Sequence, residues 1–327
     1  KLPLHQKVMK IGNFIIDQNS PVFIIAELSA NHNGSLDNAL ATIKAAKRAG
    51  ADCIKLQTYT ADTITLDSDK EDFVIKGTIW DGKKLHTLYQ EAYTPWEWHE
   101  EIYHAAAAEG LICFSSPFDH TAVDLLESLN SPAYKIASFE ITDIPLIEYV
   151  ASKGKPVIIS TGIAQEEDIV LALDACHRMG NYDIALLKCT SSYPAPIEEA
   201  NMCMVKDLAE RYQVISGLSD HTLGSTVPIV ATVFGAKIIE KHFIIDRAIG
   251  GPDASFSMNE AEFTAMVKAV REAEKAIGVV DYHLTEKQAK GKDFSRSLYI
   301  AEDVKAGEVF TERNIRSVRP GFGLHPK

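Results

Sequence analysis

Eight times in roughly 260 residues, a short run rich in β-branched and apolar side chains gives way to a longer stretch with helical spacing. The runs 21–27 (PVFIIAE), 52–57 (DCIKLQ), 111–115, 133–137, 156–160, 183–189, 213–217 and 236–240 read as strands. The stretches 35–49, 95–109, 120–129, 144–152, 166–179, 198–212, 223–234 and 259–277 read as helices, the first stopped by Gly50. Strands this uniformly apolar belong to a parallel sheet covered on its faces. Eight such units in about 250 residues predict an α/β fold, the (β/α)8 TIM barrel. An open doubly wound sheet is the alternative, but no glycine-rich dinucleotide loop follows the first strand. The segment 58–94 is long for a βα connection and reads as a lid or as structure of its own. The pattern changes after Gly278. The expected organisation is a barrel domain over 1–280, a polar linker over 281–295, and a strand–turn–strand piece over 296–327 that is too small to bury a core alone.

The chain of 327 residues carries 33 Lys and Arg against 45 Asp and Glu, a net charge of −12 with His neutral. That balance argues against a nucleic-acid partner, which would need a basic face. No apolar run reaches the length of a membrane span, and residues 1–10 lack a signal-peptide core. The five cysteines show no CxxC or zinc spacing. Cys53, Cys113 and Cys189 fall in strand-like runs and read as buried, reduced thiols, so a cytoplasmic protein is expected.

In such a barrel the active site lies where the strands end, and the strand ends of this chain are loaded with polar residues. Glu27 closes the first. Lys55 and Gln57 share parity on the second, so both can face inward. Ser115 and Ser116 end the third; Lys135, Ser138 and Glu140 the fourth; Ser160 and Thr161 the fifth. Thr190, Ser191, Ser192 and Tyr193 follow the sixth, Ser219, Asp220 and His221 the seventh, and Glu240, Lys241 and His242 close the eighth. A single Ser or Thr after a strand is ordinarily a helix cap. An inward lysine is different: it needs a carboxylate, such as Glu27 or Glu140, or an anionic ligand. Loading of all eight ends favours the ligand, and two lysines among hydroxyls suit a phosphate and a carboxylate. His221 and His242 stand one βα unit apart. They read either as a pair of core histidines or as ligands of a divalent metal such as Mn²⁺ or Zn²⁺. His32 is a further candidate in an Asn33–Gly34 turn, while His86, His99, His104 and His177 read as surface residues. The residues thus describe an anionic phosphorylated substrate beside a metal, with Glu27 or Glu140 as acid or base.

At these positions the chain resembles the sialic acid synthase family. The resemblance runs in order through AELSANHNG (26–34), KLQTY (55–59), SSPFD (115–119), YKIASFE (134–140), ISTGIA (159–164), LKCTSSYP (187–194), GLSDH (217–221) and EKHF (240–243). Residues 296–327 resemble the start of that family's C-terminal antifreeze-like (SAF) domain. Within the family, residues 75–99, the SFE at 138–140 and the closing SVRPGFGLHPK are most similar to the branch that makes pseudaminic acid. The resemblance implies condensation of phosphoenolpyruvate (PEP) with an acetamido sugar, by C–O cleavage and with release of phosphate. For the pseudaminic branch the sugar is 2,4-diacetamido-2,4,6-trideoxy-L-altrose. It implies that Lys135, Ser138, Ser160 and Ser219 hold the PEP phosphate and Lys55, helped by Ser115, its carboxylate. His221 and His242 would bind the metal, Mn²⁺ in the first instance with Mg²⁺ or Co²⁺ as alternatives. Glu140, then Glu27, would move protons, and Gln57, Tyr193 and Asp253 would line the sugar site. It also implies a domain-swapped homodimer in which Arg319 reaches the sugar of the partner subunit. The chain stops where the family's SAF domain continues, so an incomplete cap is expected.

Two features depart from the sialic acid branch: Ser191, and the segment 59–93. Both favour a different sugar. The competing readings are a related synthase using N-acetylmannosamine or the legionaminic acid precursor, a Schiff-base aldolase built on Lys135 or Lys55, and a non-catalytic sugar-phosphate binding protein.

Overall fold

The computed structural model describes residues 7–327; residues 1–6, where the stretch read as lacking a signal peptide begins, lie outside the described residues. The chain divides into two compact units, Lys1–Ile277 and Gly278–Lys327. In the first, eight parallel strands close into a barrel: β1 Phe23–Glu27, β2 Cys53–Thr58, β3 Ile112–Pro117, β4 Tyr134–Ile136, β5 Val157–Ser160, β6 Ile184–Cys189, β7 Ile215–Asp220 and β8 Ile238–His242. They pair in sequence order, and β8 returns to β1 with His242 opposite Glu27. Helices Leu36–Arg48, His99–Ala108, His120–Ser128, Ile144–Ala151, Glu166–Arg178, Cys203–Tyr212, Thr226–Val233 and Glu260–Ile277 follow the strands. This is the (β/α)8 barrel expected from the alternation.

Three strands run on two or more residues past their apolar runs. β3, β7 and β8 extend to Pro117, Asp220 and His242, two, three and two residues beyond the runs 111–115, 213–217 and 236–240. Backbone pairing continues while the side chains turn polar, because those ends face a site rather than a core. A feature without a forecast is the antiparallel hairpin Met9–Ile11 with Phe14–Ile16. Met9, Ile11 and Ile16 are buried in the same cluster as Phe23, Ile25, Cys53, Phe114, Ile158, Leu187 and Ile238. These are inward-facing residues of the lower strands, so the hairpin plugs the N-terminal end of the barrel. Two larger apolar clusters lie between the strands and the helices.

The long segment after β2 carries its own structure: helices Ala61–Ile64 and Leu85–Ala92 and a bridge between Val74 and Lys84. The unit Gly278–Lys327 holds a helix, Glu286–Gly291, capped by Thr285. A ribbon of Ser297–Ile300 and Ile315–Val318 completes it, with Leu298 bridged to Leu324. The stretch read as linker therefore contains the helix. Val309, Phe310, Phe322 and Leu324 are exposed in this unit, as expected of a piece too small to bury a core.

Candidate active site

Side-chain alternation sorts the strand ends into two sets. Glu27, Lys55, Gln57, Ser116, Lys135, Ser160, Cys189, Ser219, Glu240 and His242 continue the inward parity of the apolar plug. Their neighbours in sequence face the helices. Lys241 illustrates the outward set: it is buried and paired with Asp220 at 2.5 Å.

Two lysines and two carboxylates form the floor of the mouth. Lys55 Nζ lies 2.5 Å from Glu27 and 3.4 Å from Glu240, and Lys135 Nζ donates to Glu240 at 2.7 Å. All four are almost wholly buried. The partners are therefore Glu27 and Glu240, not Glu140. Burial raises both carboxyls, but Lys135 and Lys55 together outweigh it at Glu240 and push it down to about 2. At Glu27 burial wins over Lys55, and its carboxyl is pushed up to about 7. Gln57 Nε2 donates to Glu27 Oε1 and Ser29 Oγ, both at 3.0 Å. Ser29 Oγ donates to Asp253 Oδ2 at 2.5 Å, which ties this floor to the loop after β8.

Ser115 does not join this group. It faces outward and shares a 2.6 Å hydrogen bond with Thr58, which also bonds His99. Lys55 Nζ meets Ser116 Oγ instead, at 3.2 Å. The one-residue correction follows from the period of a strand: Gln57 and Ser116 are level in the ladder and point the same way. His99 is likewise not a surface residue. It and His32 are fully buried, and burial pushes each down to about 4. His32 Nδ1 accepts from Gly34 N–H at 3.0 Å, in keeping with the turn reading.

A second group surrounds the loop after β5. Gly162 N–H donates to Ser138 Oγ at 3.1 Å. A Cβ at Gly162 would come within 2.1 Å of Ser191 Oγ and 2.7 Å of Ser138 Oγ. Ser138, Ser191 and Gly162 thus form one cradle, and Ser191 belongs to it. The hydroxyls of Ser160 and Ser191 are buried with no partner in the protein. Buried hydroxyls left unpaired are costly, and an oxygen-rich anion would satisfy them.

The third group is aromatic and imidazole. The rings of His221 and His242 are 5.4 Å apart. His221 Nδ1 donates to the Thr190 carbonyl at 2.9 Å, which leaves its Nε2 lone pair free. Cys189 Sγ lies 3.8 Å from the same Nδ1. His242 Nδ1 is buried without a hydrogen-bond partner, 3.7 Å from Asp253. Burial and the neighbouring His221 keep His242 neutral. Tyr193 packs on His221 at 4.3 Å and on Phe256 at 5.1 Å. The described residues hold no group of three or more His, Cys, Asp or Glu at metal-ligating spacing. Burial pulls His221 down, but Cys189 and the Thr190 carbonyl hold it above the usual imidazole value. Once its proton is released, His221 and the neutral His242 fit a divalent cation that takes its other ligands from water and substrate.

Glu140 stands apart. Burial, with Asp143 adding, pushes its carboxyl up to about 8, and its Oε2 is buried and unpaired. Arg319 is exposed in the Gly278–Lys327 unit. Glu240 and Ser116 were read from sequence as polar strand ends without a role, and Ser29, Gly162 and Phe256 were not singled out. Parity signals the first two, since Glu240 shares it with His242 and Ser116 with Lys55 through the ladder. Phe256 and Gly162 carry no such signal.

The geometry has relatives. Pseudaminic acid synthase of Campylobacter jejuni (strain 81-176) is 52% identical over 319 residues, covering 98% of this chain and 92% of that protein. Pseudaminic acid synthase of Helicobacter pylori is 48% identical over 308 residues, covering 94% and 91%. Among solved structures, the sialic acid synthetase of Leptospira borgpetersenii superposes with a TM-score of 0.78 at 29% identity, covering 88% of this chain and 95% of that one. The spore coat polysaccharide biosynthesis protein of Bacillus subtilis gives 0.73 at 35% identity, covering 98% and 91%. Residues 42–282 match the model of the NeuB family. With a matched model over most of its length and relatives at this identity, the chain belongs to the NeuB family.

Proposed function

We propose that the chain condenses PEP with 2,4-diacetamido-2,4,6-trideoxy-L-altrose and water, giving pseudaminic acid and phosphate. The observation that carries this reading is the pair of buried ammoniums, Lys55 and Lys135, in a mouth that also holds unpaired serine hydroxyls and two free imidazoles. That inventory suits a small dianion at one end and a carbonyl at the other. The 52% identity to a curated pseudaminic acid synthase directs the choice of sugar. Related synthases named for legionaminic acid stand at 34%.

Lys135, Ser138, Ser160 and Ser219 hold the phosphate, with Gly162 N–H and Ser191 beside them. Lys55 and Ser116 hold the carboxylate. Gln57, Tyr193 and Asp253 orient the sugar aldehyde toward C3 of PEP. A divalent metal held by His221 and His242, Mn²⁺ before Mg²⁺ or Co²⁺, supplies Lewis acidity to the aldehyde oxygen when bound. C3 attacks the aldehyde carbon, water adds at C2, and the C–O bond to phosphate breaks. Glu27, level with both His242 and Lys55 in the ladder, is placed to take the proton from that water. Glu140, raised to about 8, is mostly protonated at neutral pH and acts as a donor.

A homodimer completes the reading. Phe139, Ile163, Ile197 and Leu223 are exposed on the loops after β4, β5, β6 and β7, an apolar rim suited to cover by a second copy. Arg319 of that copy would reach the sugar with its planar fork of donors. All five cysteines are free, which supports a reducing, cytoplasmic setting. Among the described residues no helix is long and apolar enough to cross a membrane.

The test is phosphate release from PEP with Mn²⁺ and, in parallel, the diacetamido-trideoxy-altrose and N-acetylmannosamine. Release with the altrose, abolished by a chelator, is the expected result. Release with N-acetylmannosamine alone would move the chain to the sialic acid branch. Release that survives chelation but stops on borohydride trapping would replace the mechanism with a Schiff base.

A further inference from the structure

From the segment after β2, Trp80 packs directly on the aromatic side chains that back the two imidazoles. Trp80 packs against Tyr193 at 5.6 Å and against Phe256 at 6.4 Å, nearly edge-on. Tyr193 in turn packs on His221, and Phe256 lies 5.0 Å from His242. Both imidazoles therefore rest on an aromatic wall whose outer member comes from the long connection. The indole is also tethered: its Nε1–H donates to the Pro252 carbonyl at 3.0 Å. Pro252 precedes Asp253, which bonds Ser29 and faces His242. The tether uses the single donor of the indole, so the ring presents only apolar surface.

We propose that Trp80 is a positioning residue that latches the segment after β2 onto Tyr193, Phe256 and the loop before Asp253, and so sets the sugar end of the site. This rests on the function proposed above and adds the chemistry recognised there. An aromatic wall with no free indole donor suits the methyl groups of a deoxygenated, N-acetylated sugar better than a chain of hydroxyls. Geometry-matched aromatic pairs are worth enough for about a tenfold effect when one ring is removed.

Two variants test this. Trp80→Ala removes both packing and tether, and Trp80→Phe keeps the packing but loses the tether. In Trp80→Ala the KM for the diacetamido sugar rises about tenfold while the KM for PEP stays near that of the wild type. Trp80→Phe falls between the wild type and Trp80→Ala. A second readout needs no turnover: trypsin cuts at Lys70, Lys76 or Lys83 faster in Trp80→Ala than in Trp80→Phe or the wild type. A wild type silent with the sugar overturns the proposed function, and the proteolysis rates then judge the latch alone. Equal KM rises for both substrates, or unchanged KM values with unchanged proteolysis, overturn the latch.

Discussion

The two ends of the barrel interior are built on one register and carry opposite chemistry. At the N-terminal end, Phe23, Cys53 and Ile238 meet the plug of Met9, Ile11 and Ile16, all fully buried or nearly so. Two to four residues further along the same strands, the inward positions become Glu27, Lys55, Gln57, Glu240 and His242. The sealed end gains free energy from every methyl it removes from water. The mouth holds charges that only their mutual pairing makes tolerable. Stability and function are thus segregated along the strand axis.

The largest expected effect comes from making the mouth resemble the sealed end. Lys135→Met strands Glu240 with one lysine. It should cost about 3–5 kcal/mol in urea unfolding and lower kcat/KM for PEP by about 10²–10³. Adding Glu240→Leu should restore stability to the wild-type level or above, as apolar replacement of a buried pair does, while turnover stays lost. Phe23→Ala at the other end should do the reverse, costing about 3–5 kcal/mol with kcat/KM unchanged in the folded fraction. A double variant that stays as unstable as Lys135→Met would show that the mouth charges hold the fold, and the segregation would fail.

A smaller effect appears as pH dependence. A carboxyl raised in the folded state favours folding while it keeps its proton. Glu27, moved from 4.5 to about 7, therefore withdraws stability as pH rises through that window, by at most about 3 kcal/mol. His32 and His99, lowered to about 4, act with the opposite sign and gain stability as pH rises from 4 to 6.5. The difference between wild type and Glu27→Gln isolates the mouth term. Glu27→Gln should gain on the wild type between pH 5 and 7.5, read by urea unfolding at both values. A constant difference across that range would mean that Lys55 keeps Glu27 ionised throughout.

The same segregation explains what the sequence disclosed. Apolar runs located all eight strands, because the sealed layer is made of them. They stopped early at β3, β7 and β8, because the ends of those strands belong to the mouth. Lys55, Lys135, His221 and His242 were legible as costly or chemically distinctive side chains at strand ends. Their partners were less so: Glu140 was read beside Glu27 as a partner of the lysines where Glu240 takes that place, and only ladder register separates Ser115 from Ser116. The plug hairpin was hidden in a short segment ahead of the repeating pattern. Trp80 and Phe256 sit on irregular connections, where no period fixes direction.

Two glycines give the smallest and sharpest contrast. A Cβ at Gly217, in the wall of β7, would stand 2.2 Å from the Ile238 carbonyl oxygen on β8. Backbone held in a barrel ladder cannot retreat, so Gly217→Ala should cost about 1–3 kcal/mol of stability. A Cβ at Gly162 would meet the hydroxyls of Ser191 and Ser138 instead. Those side chains can rotate away, so Gly162→Ala should leave unfolding within about 1 kcal/mol of the wild type. Rotation, however, dismantles the cradle: Ser138 loses its place at Gly162 N–H and Ser191 no longer points inward. The KM for PEP should rise about tenfold, the loss of roughly one net hydrogen bond, with the KM for the sugar little changed. A rise in the sugar KM alone would move the cradle from the phosphate to the sugar, and Ser191 would become a sugar contact.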